Sequence, residues 1–307
     1  MKILRTFLVT MMVIMGSTQS AKADTPTHVN FGIISTETSQ NLRDQWEPLL
    51  QDMEAHLGIP VKPFFASDYA GVVEAMRFGK VDVAWFGNKS AIEAVDRAGG
   101  EVFAQIMPND GSLGYYALLI AHKDSPLNSV EDLIEKPDEL TFSNGDPNST
   151  SGFLIPYYYV FAKNNIDPKT HFKRLTNASH EVNALSVARK KIDVATNNTT
   201  ILGDPDAANP KAGRLWKSRP KMVEQIKVIW KSPLIPNEPL VYRTELSDSF
   251  KTTIREFFYG YGKTEKEQQI LADINSGIQK FQPSTNDQLT PIREIVRFHN
   301  VLKTKSN

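Results

Sequence analysis

From His28 onward, short runs rich in β-branched and aromatic residues alternate with longer stretches whose apolar positions recur at helical spacing. "HVNFGIIST" reads as a strand, "SQNLRDQWEPLLQDMEAHLG" as a helix, "PVKPFFAS" as a strand, "DYAGVVEAMRFGK" as a helix and "VDVAWFG" as a strand. In the first of these helices Leu42, Trp46, Leu49, Leu50, Met53 and Leu57 form one apolar stripe. Pro48 interrupts it, and a residue without an N–H inside a helix predicts a kink or a late start. The alternation as a whole predicts a mostly parallel α/β sheet.

The pattern continues with "NKSAIEAVDRAGG" as a helix and "EVFAQIMP" and "GYYALLIAH" as strands. "KDSPLNSVEDLIEKPDEL" then breaks the rhythm with turn residues and a short capped helix. The alternation restarts with "LTFSNGD", "SGFLIPYYYVFAKNNI", "HFKRLTNA", "HEVNALSVARKKI" and "DVATNN". Two rounds separated by a linker predict two lobes, each with its own core. "KVIWKSPLIPNEPLVYR" reads as an extended return crossing, after which "SDSFKTTIREFFYGYGK" and "PIREIVRFHNVL" pack as helices on the first lobe. The expected division is 1–23 as a leader, 24–121 with 233–307 as lobe 1, and 122–232 as lobe 2. The basic segment 210–220 reads as surface and carries no motif.

Composition adds an address. Lys2 and Arg5, the apolar run Phe7–Gly16 and Ala21-Lys22-Ala23 have the order of a secretory signal peptide cleaved near Ala23. That run is far shorter than the roughly 20 apolar residues of a membrane span. The chain has no Cys, which excludes disulfides, thiolate metal sites, a Cys nucleophile and a lipid on an N-terminal Cys. A soluble periplasmic protein is expected, monomeric and without cofactor or metal. The precursor carries 35 basic and 35 acidic residues; removing Lys2, Arg5 and Lys22 leaves 35 − 3 = 32 against 35, a net charge of −3. Without a strongly basic face, nucleic acid is not an expected partner.

Ligands of two-lobed α/β proteins sit between the lobes near the carboxyl ends of the strands. Ser67-Asp68-Tyr69, Asn88-Lys89-Ser90, Asn148–Ser151 and Ser179-His180 all follow strands and all open predicted helices. A helix start offers unpaired N–H groups and a positive dipole end, so several converging on one cleft would hold a dianion without any Arg or Lys touching it. Ser, Thr, Asp and Asn are equally the ordinary helix caps. Ser149-Thr150-Ser151 departs from plain capping because one side chain caps and the others keep outward hydroxyls. His180 can donate from its ring. Tyr69 and Tyr115 each join an apolar ring to a hydroxyl donor, which suits a cleft wall and a core edge alike. "PYYYVF" reads as packing. Asp68, Asp146 and Glu181 are available as an acid and base pair, but no hydrolase elbow, P-loop, zinc motif or dinucleotide fingerprint is present, and an enzyme is not expected.

At these same residues the chain resembles the periplasmic phosphonate-binding proteins of ABC-type uptake systems. "FGIISTETSQNLRDQWEPLLQDME", "SDYAGVVEAMRFGKVDVAWFGNKSAIEAVDRA", "NGDPNSTSGFLIPYYYVFAKNNI", "HEVNALSVARKKIDVATNNT" and "VIWKSPLIPNEPLVYR" match the family's segments in order. The resemblance implies a two-lobe periplasmic binding fold of type II-like topology, with lobes joined by two extended hinge strands and the ligand cleft between them. It implies a small phosphonate as ligand and an inner-membrane ABC transporter permease as partner. By resemblance, Ser149, Thr150 and Ser151 hold the phosphonate oxygens, with Tyr69, Tyr115 and His180 around them. Members that bind 2-aminoethylphosphonate are similar in placing two acidic residues around the ammonium. Here Glu238 in "IPNEP" occupies one such position and Thr200 the other, so alkylphosphonate and 2-aminoethylphosphonate both stand as expected ligands, with phosphite, a phosphate ester or a sulfonate as alternatives.

Overall fold

The structure, a computed structural model, describes residues 26–108, 111–136, 138–274 and 278–305; the leader read from the sequence lies outside the described residues. The first round of alternation builds β1 (Val29–Ile33), β2 (Val61–Phe65), β3 (Val83–Trp85) and β4 (Gly100–Pro108), with helices Ser39–Leu57, Tyr69–Arg77 and Asn88–Arg97 between them. The first helix begins at Ser39, capped by the Thr38 side chain, and runs through Pro48 to a left-handed Gly58, so the late start does not occur. Burial of Leu42, Trp46, Leu49, Leu50 and Met53 along one stripe holds it against the sheet and outweighs the lost N–H.

The chain then changes sheets within what reads as one strand. "GYYALLIAH" divides into β5 (Gly114–Tyr115) and β6 (Ala117–His122), and β6 already belongs to the second sheet. The crossing therefore falls before residue 117, earlier than the boundary at 121 and 122 read from the sequence. The second sheet adds β7 (Thr141–Asn144), β8 (Arg174–Asn177), β9 (Val194–Asn198) and β10 (Ile226–Lys231). The chain returns through β11 (Ile235–Pro236), which pairs antiparallel with β5, and enters the first sheet again as β12 (Pro239–Arg243) and β13 (Ile278–Pro283). At this paired crossing a Cβ on Gly114 would lie 1.9 Å from the Ile235 carbonyl oxygen, so the two connections run too close for any side chain there.

The result is a six-stranded sheet in the order β13-β4-β12-β3-β1-β2 and a five-stranded sheet in the order β10-β6-β9-β7-β8. β1, β2 and β3 pair in parallel, as do β7, β8 and β9, and their carboxyl ends carry the segments that meet between the sheets. Each sheet has its own apolar core. Trp46 and Trp85 pack at 5.3 Å between ring centroids in one, and Phe142 and Phe172 stack at 4.6 Å in the other. Helix Glu265–Ile274 and strand β13 were not apparent in the sequence pattern; both complete the first sheet's side of the molecule.

Candidate functional site

All four segments singled out after strands do open helices. Asp68 caps Tyr69–Arg77 by accepting from Gly71 N, Ser149 caps the helical run 150–164 by accepting from Gly152 N, and Ser179 caps His180–Ala188 by accepting from Val182 N. Asn88–Arg97 starts from Gly87 without a side-chain cap. Tyr69, Tyr115, Ser149, Thr150, Ser151, His180 and Glu238 are all buried, and Thr200 is partly so.

The run after Ser149 opens as a π-turn, in which Leu154 N donates to Ser149 O rather than to Thr150 O. Gly145 and Gly152 make this turn possible. Gly145 N donates to Gly152 O at 2.7 Å, and a Cβ on Gly152 would lie 2.9 Å from both Gly145 Cα and Ser149 Oγ and 3.0 Å from the His180 ring. Gly152→Ala is therefore expected to cost about 1–3 kcal/mol through overpacking and to weaken ligand binding by displacing Ser149 and His180. Thermal unfolding together with calorimetric titration checks both effects.

Each hydroxyl of the cluster already accepts from a fixed donor. Ser149 Oγ accepts from Gly152 N at 2.9 Å, Thr150 Oγ1 from Lys89 N at 2.9 Å and Ser151 Oγ from Asn198 Nδ2 at 3.2 Å. Their own protons thus remain to be donated. The Tyr69 hydroxyl lies near Ser149, and that of Tyr115 near Ser151 and Thr150. Burial first, and then the carboxylates of Asp146 and Glu238, push the Tyr69 phenol well up, while burial and Glu238 do the same for Tyr115. Both rings keep their protons.

The tautomer of His180 follows from the same logic. Asn198 Oδ1 accepts from Thr200 Oγ1 at 2.7 Å and from Ile201 N at 3.0 Å, which fixes the amide. Its Nδ2 therefore faces His180 Nε2 at 3.3 Å, making Nε2 the acceptor and Nδ1 the protonated nitrogen. Nδ1 is buried without a hydrogen-bond partner. Burial, with a smaller push from the Arg214 charge, lowers the ring pKa to about 3, so His180 is a neutral donor. Ser149, Thr150, Ser151, Tyr69, Tyr115 and His180 thus form a wall of neutral donors, which is chemistry for an oxyanion.

At the other end, Tyr115, Thr200, Asn237 and Glu238 line a cavity of about 30 Å³ with Ile106, Pro108 and Ile278. Thr200 and Glu238 therefore share one small chamber. Glu238 Oε2 accepts from Trp85 Nε1 at 3.1 Å, and burial raises its carboxyl to about 7 despite the opposing pull of Arg214. The carboxylates considered as catalytic are otherwise engaged. Asp146 accepts from Tyr69 N and Asn148 N, Asp68 from Gly71 N, and Glu181 from Thr38 N, Asn41 and Arg219.

Sequence reading missed several supporting residues. Asn197 and Asn198, at the end of β9, orient Ser151 and His180, and the adjacent amides before a helix were the available signal. Segment 210–220 has the composition of surface, whereas Arg214 is 5% exposed and pairs with Glu37 at 2.6 Å. Among the described residues no group of His, Asp and Glu is arranged to hold a metal.

Residues 31–289 match the family described as the periplasmic substrate-binding protein of an ABC transporter for phosphonate. The chain is 54% identical to the phosphonates-binding periplasmic protein of Escherichia coli (strain K12) over 279 residues, 91% of this chain and 79% of that one. A crystal structure of a binding protein component of an ABC phosphonate transporter from Pseudomonas aeruginosa is similar with a TM-score of 0.84 at 53% identity, covering 91% of this chain and 89% of that one. PhnD1 from Prochlorococcus marinus, solved in complex with methylphosphonate, shares the fold with a TM-score of 0.76 at 22% identity, covering 90% and 99% of the two chains.

Proposed function

The chain belongs to the family of periplasmic substrate-binding proteins of ABC phosphonate transporters, and on that premise we propose that its ligand is a small phosphonate held by Ser149, Thr150, Ser151, Tyr69, Tyr115 and His180, with its substituent in the chamber of Thr200 and Glu238. One observation carries this reading: the donors around the cleft are neutral, and the Ser149, Thr150 and Ser151 hydroxyls each already accept from a fixed N–H, which leaves their protons to give. Such a wall matches three oxygen acceptors and leaves donors unpaired around anything that offers fewer.

The first sheet, with residues 26–115 and from 235 onward, and the second, with 117–231, are read as the two lobes, moving about the β5 and β11 pair. In the closed form Lys89 N donates to Thr150 Oγ1 and Tyr69 N to Asp146, so both contacts join the lobes and the first also orders a hydroxyl of the cluster. The closed form then presents one surface to a membrane permease. We read the exported chain as a monomer that performs no chemistry on its ligand, with residues 1–23 removed.

Calorimetric titration of the mature protein with methylphosphonate, 2-aminoethylphosphonate, phosphite and an alkylsulfonate tests the reading. Binding of methylphosphonate without turnover is expected. Binding of phosphite or sulfonate in preference to every phosphonate, or appearance of a dephosphonylated product, overturns it.

A further inference from the structure

After β1 the turn Thr36-Glu37-Thr38 leads into helix Ser39–Leu57 on the first sheet's side. From the second sheet's side Glu181, the residue after His180, reaches this turn. Ser179 caps the helix His180–Ala188 by accepting from Val182 N, which leaves the N–H groups before Val182 to find partners elsewhere. Glu181 N donates to Thr36 O at 3.4 Å. Its carboxylate accepts from Thr38 N at 3.1 Å and, through both oxygens, from Asn41 Nδ2 at 3.2 Å. Glu37 returns the contact, its Oε1 accepting from Arg214 Nε on the second sheet's side at 2.6 Å. Both acids are buried. Each also has a partner on its own side: Arg219 Nη2 pairs with Glu181 Oε1 at 3.1 Å, and Gln45 Nε2 donates to Glu37 Oε2 at 3.2 Å. Separating the two sides therefore breaks the crossing bonds without stranding either carboxylate, the outcome that makes most buried ion pairs costly to part.

We propose that Glu181 and Glu37 form a reciprocal latch between the lobes, each docking into the other side, and that Glu181 thereby positions the adjacent His180 against the ligand. The inference rests on the reading of two lobes closing on a phosphonate and adds what holds them once closed. None of the crossing bonds uses Ser149, Thr150, Ser151, Tyr69, Tyr115 or the His180 ring. The latch is therefore indifferent to the ligand's substituent: the wall and the chamber choose the ligand, and the latch sets how long it stays. Because its bonds include no ligand atom, it also favours closure of the free protein, and its loss shifts the population of closed molecules before any ligand arrives.

Asn41 gives the cleanest test, since it is half-buried and lies on the first sheet's side, away from His180 and the second core. Asn41→Ala removes one crossing donor, and Asn41→Asp sets a second carboxylate against Glu181. Stopped-flow dissociation of methylphosphonate and of 2-aminoethylphosphonate is measured in both variants and the wild type. Lobe separation is measured by spin labels on Lys62→Cys and Lys173→Cys, exposed positions on either side of a chain that has no Cys of its own. Both ligands should leave Asn41→Ala faster by one common factor of about ten to a hundred, the yield of one charge-assisted hydrogen bond, and Asn41→Asp faster still. The free wild type should show a closed population that shrinks in Asn41→Ala and is lost in Asn41→Asp. Unchanged dissociation in Asn41→Asp overturns the inference, as does a loss confined to one ligand, which would make this contact a reader of the substituent. Label distances that are the same in all three free proteins overturn it as well. If the wild type binds no phosphonate, it is the phosphonate reading that fails, and the label distances still judge the latch.

Discussion

Ser149→Ala combined with Thr150→Ala is expected to lower methylphosphonate affinity by about 10²- to 10⁴-fold. On the proposed reading each substitution removes a hydroxyl donor to a charged ligand oxygen, and each such bond contributes about 1.5–3 kcal/mol, or roughly one to two decades of affinity. Stability falls as well. Ser149 accepts from Gly152 N as a cap, worth about 1 kcal/mol, and Thr150 accepts from the buried Lys89 N–H, which then loses its partner at about 1–3 kcal/mol. Thr150→Ser separates the two effects, because it keeps the hydroxyl and should bind methylphosphonate within a few-fold of wild type. Unchanged affinity in the double variant, with only the melting temperature lowered, would make these hydroxyls helix caps and nothing more.

Glu238→Gln should stabilise the protein at pH 8 by about 3 kcal/mol and change it little at pH 4. The folded carboxyl titrates at about 7 against an ordinary 4.5, so the folded protein holds this proton more tightly than the unfolded chain does. As pH rises from 4.5 towards 7 the unfolded chain loses the proton first, and stability falls by about 1.4 kcal/mol for each unit of the gap. Above 7 the whole penalty is present; below 4.5 it is absent. The value already includes the pull of Arg214, and an amide oxygen can still accept from Trp85 Nε1. Denaturant unfolding of both proteins at the two pH values decides it, and a difference independent of pH would show that Glu238 is ionised in the folded chamber. For a binding protein, a buried carboxyl that costs stability at pH 8 is what one expects of a residue kept for its ligand.

What the sequence allowed one to read was local, and what it hid was contact at a distance. Asp68, Ser149 and Ser179 were legible as helix starts because a cap and the apolar run behind it lie within a few residues. Those starts hold most of the proposed oxyanion wall, and the run of hydroxyls marks its densest part. "GYYALLIAH" reads as one strand by composition, yet Tyr116 N and O are tied to Thr199 and the chain changes sheets beside it. Arg214 sits in a basic stretch with the composition of surface, and its partner Glu37 is 177 residues away. The tautomer of His180 was equally out of reach, since it depends on how Thr200 and Ile201 fix the Asn198 amide.

Where the donors meet the ligand is the most direct test of the proposed site. A crystal structure of the mature protein with methylphosphonate should place the phosphonate between the lobes, with its oxygens at hydrogen-bonding distance, roughly 2.5–3.0 Å, from the Ser149, Thr150 and Ser151 hydroxyls, both tyrosine hydroxyls and His180 Nδ1. A phosphonate bound away from this wall, or one that reaches His180 through Nε2 with the Asn198 amide reversed, would contradict it.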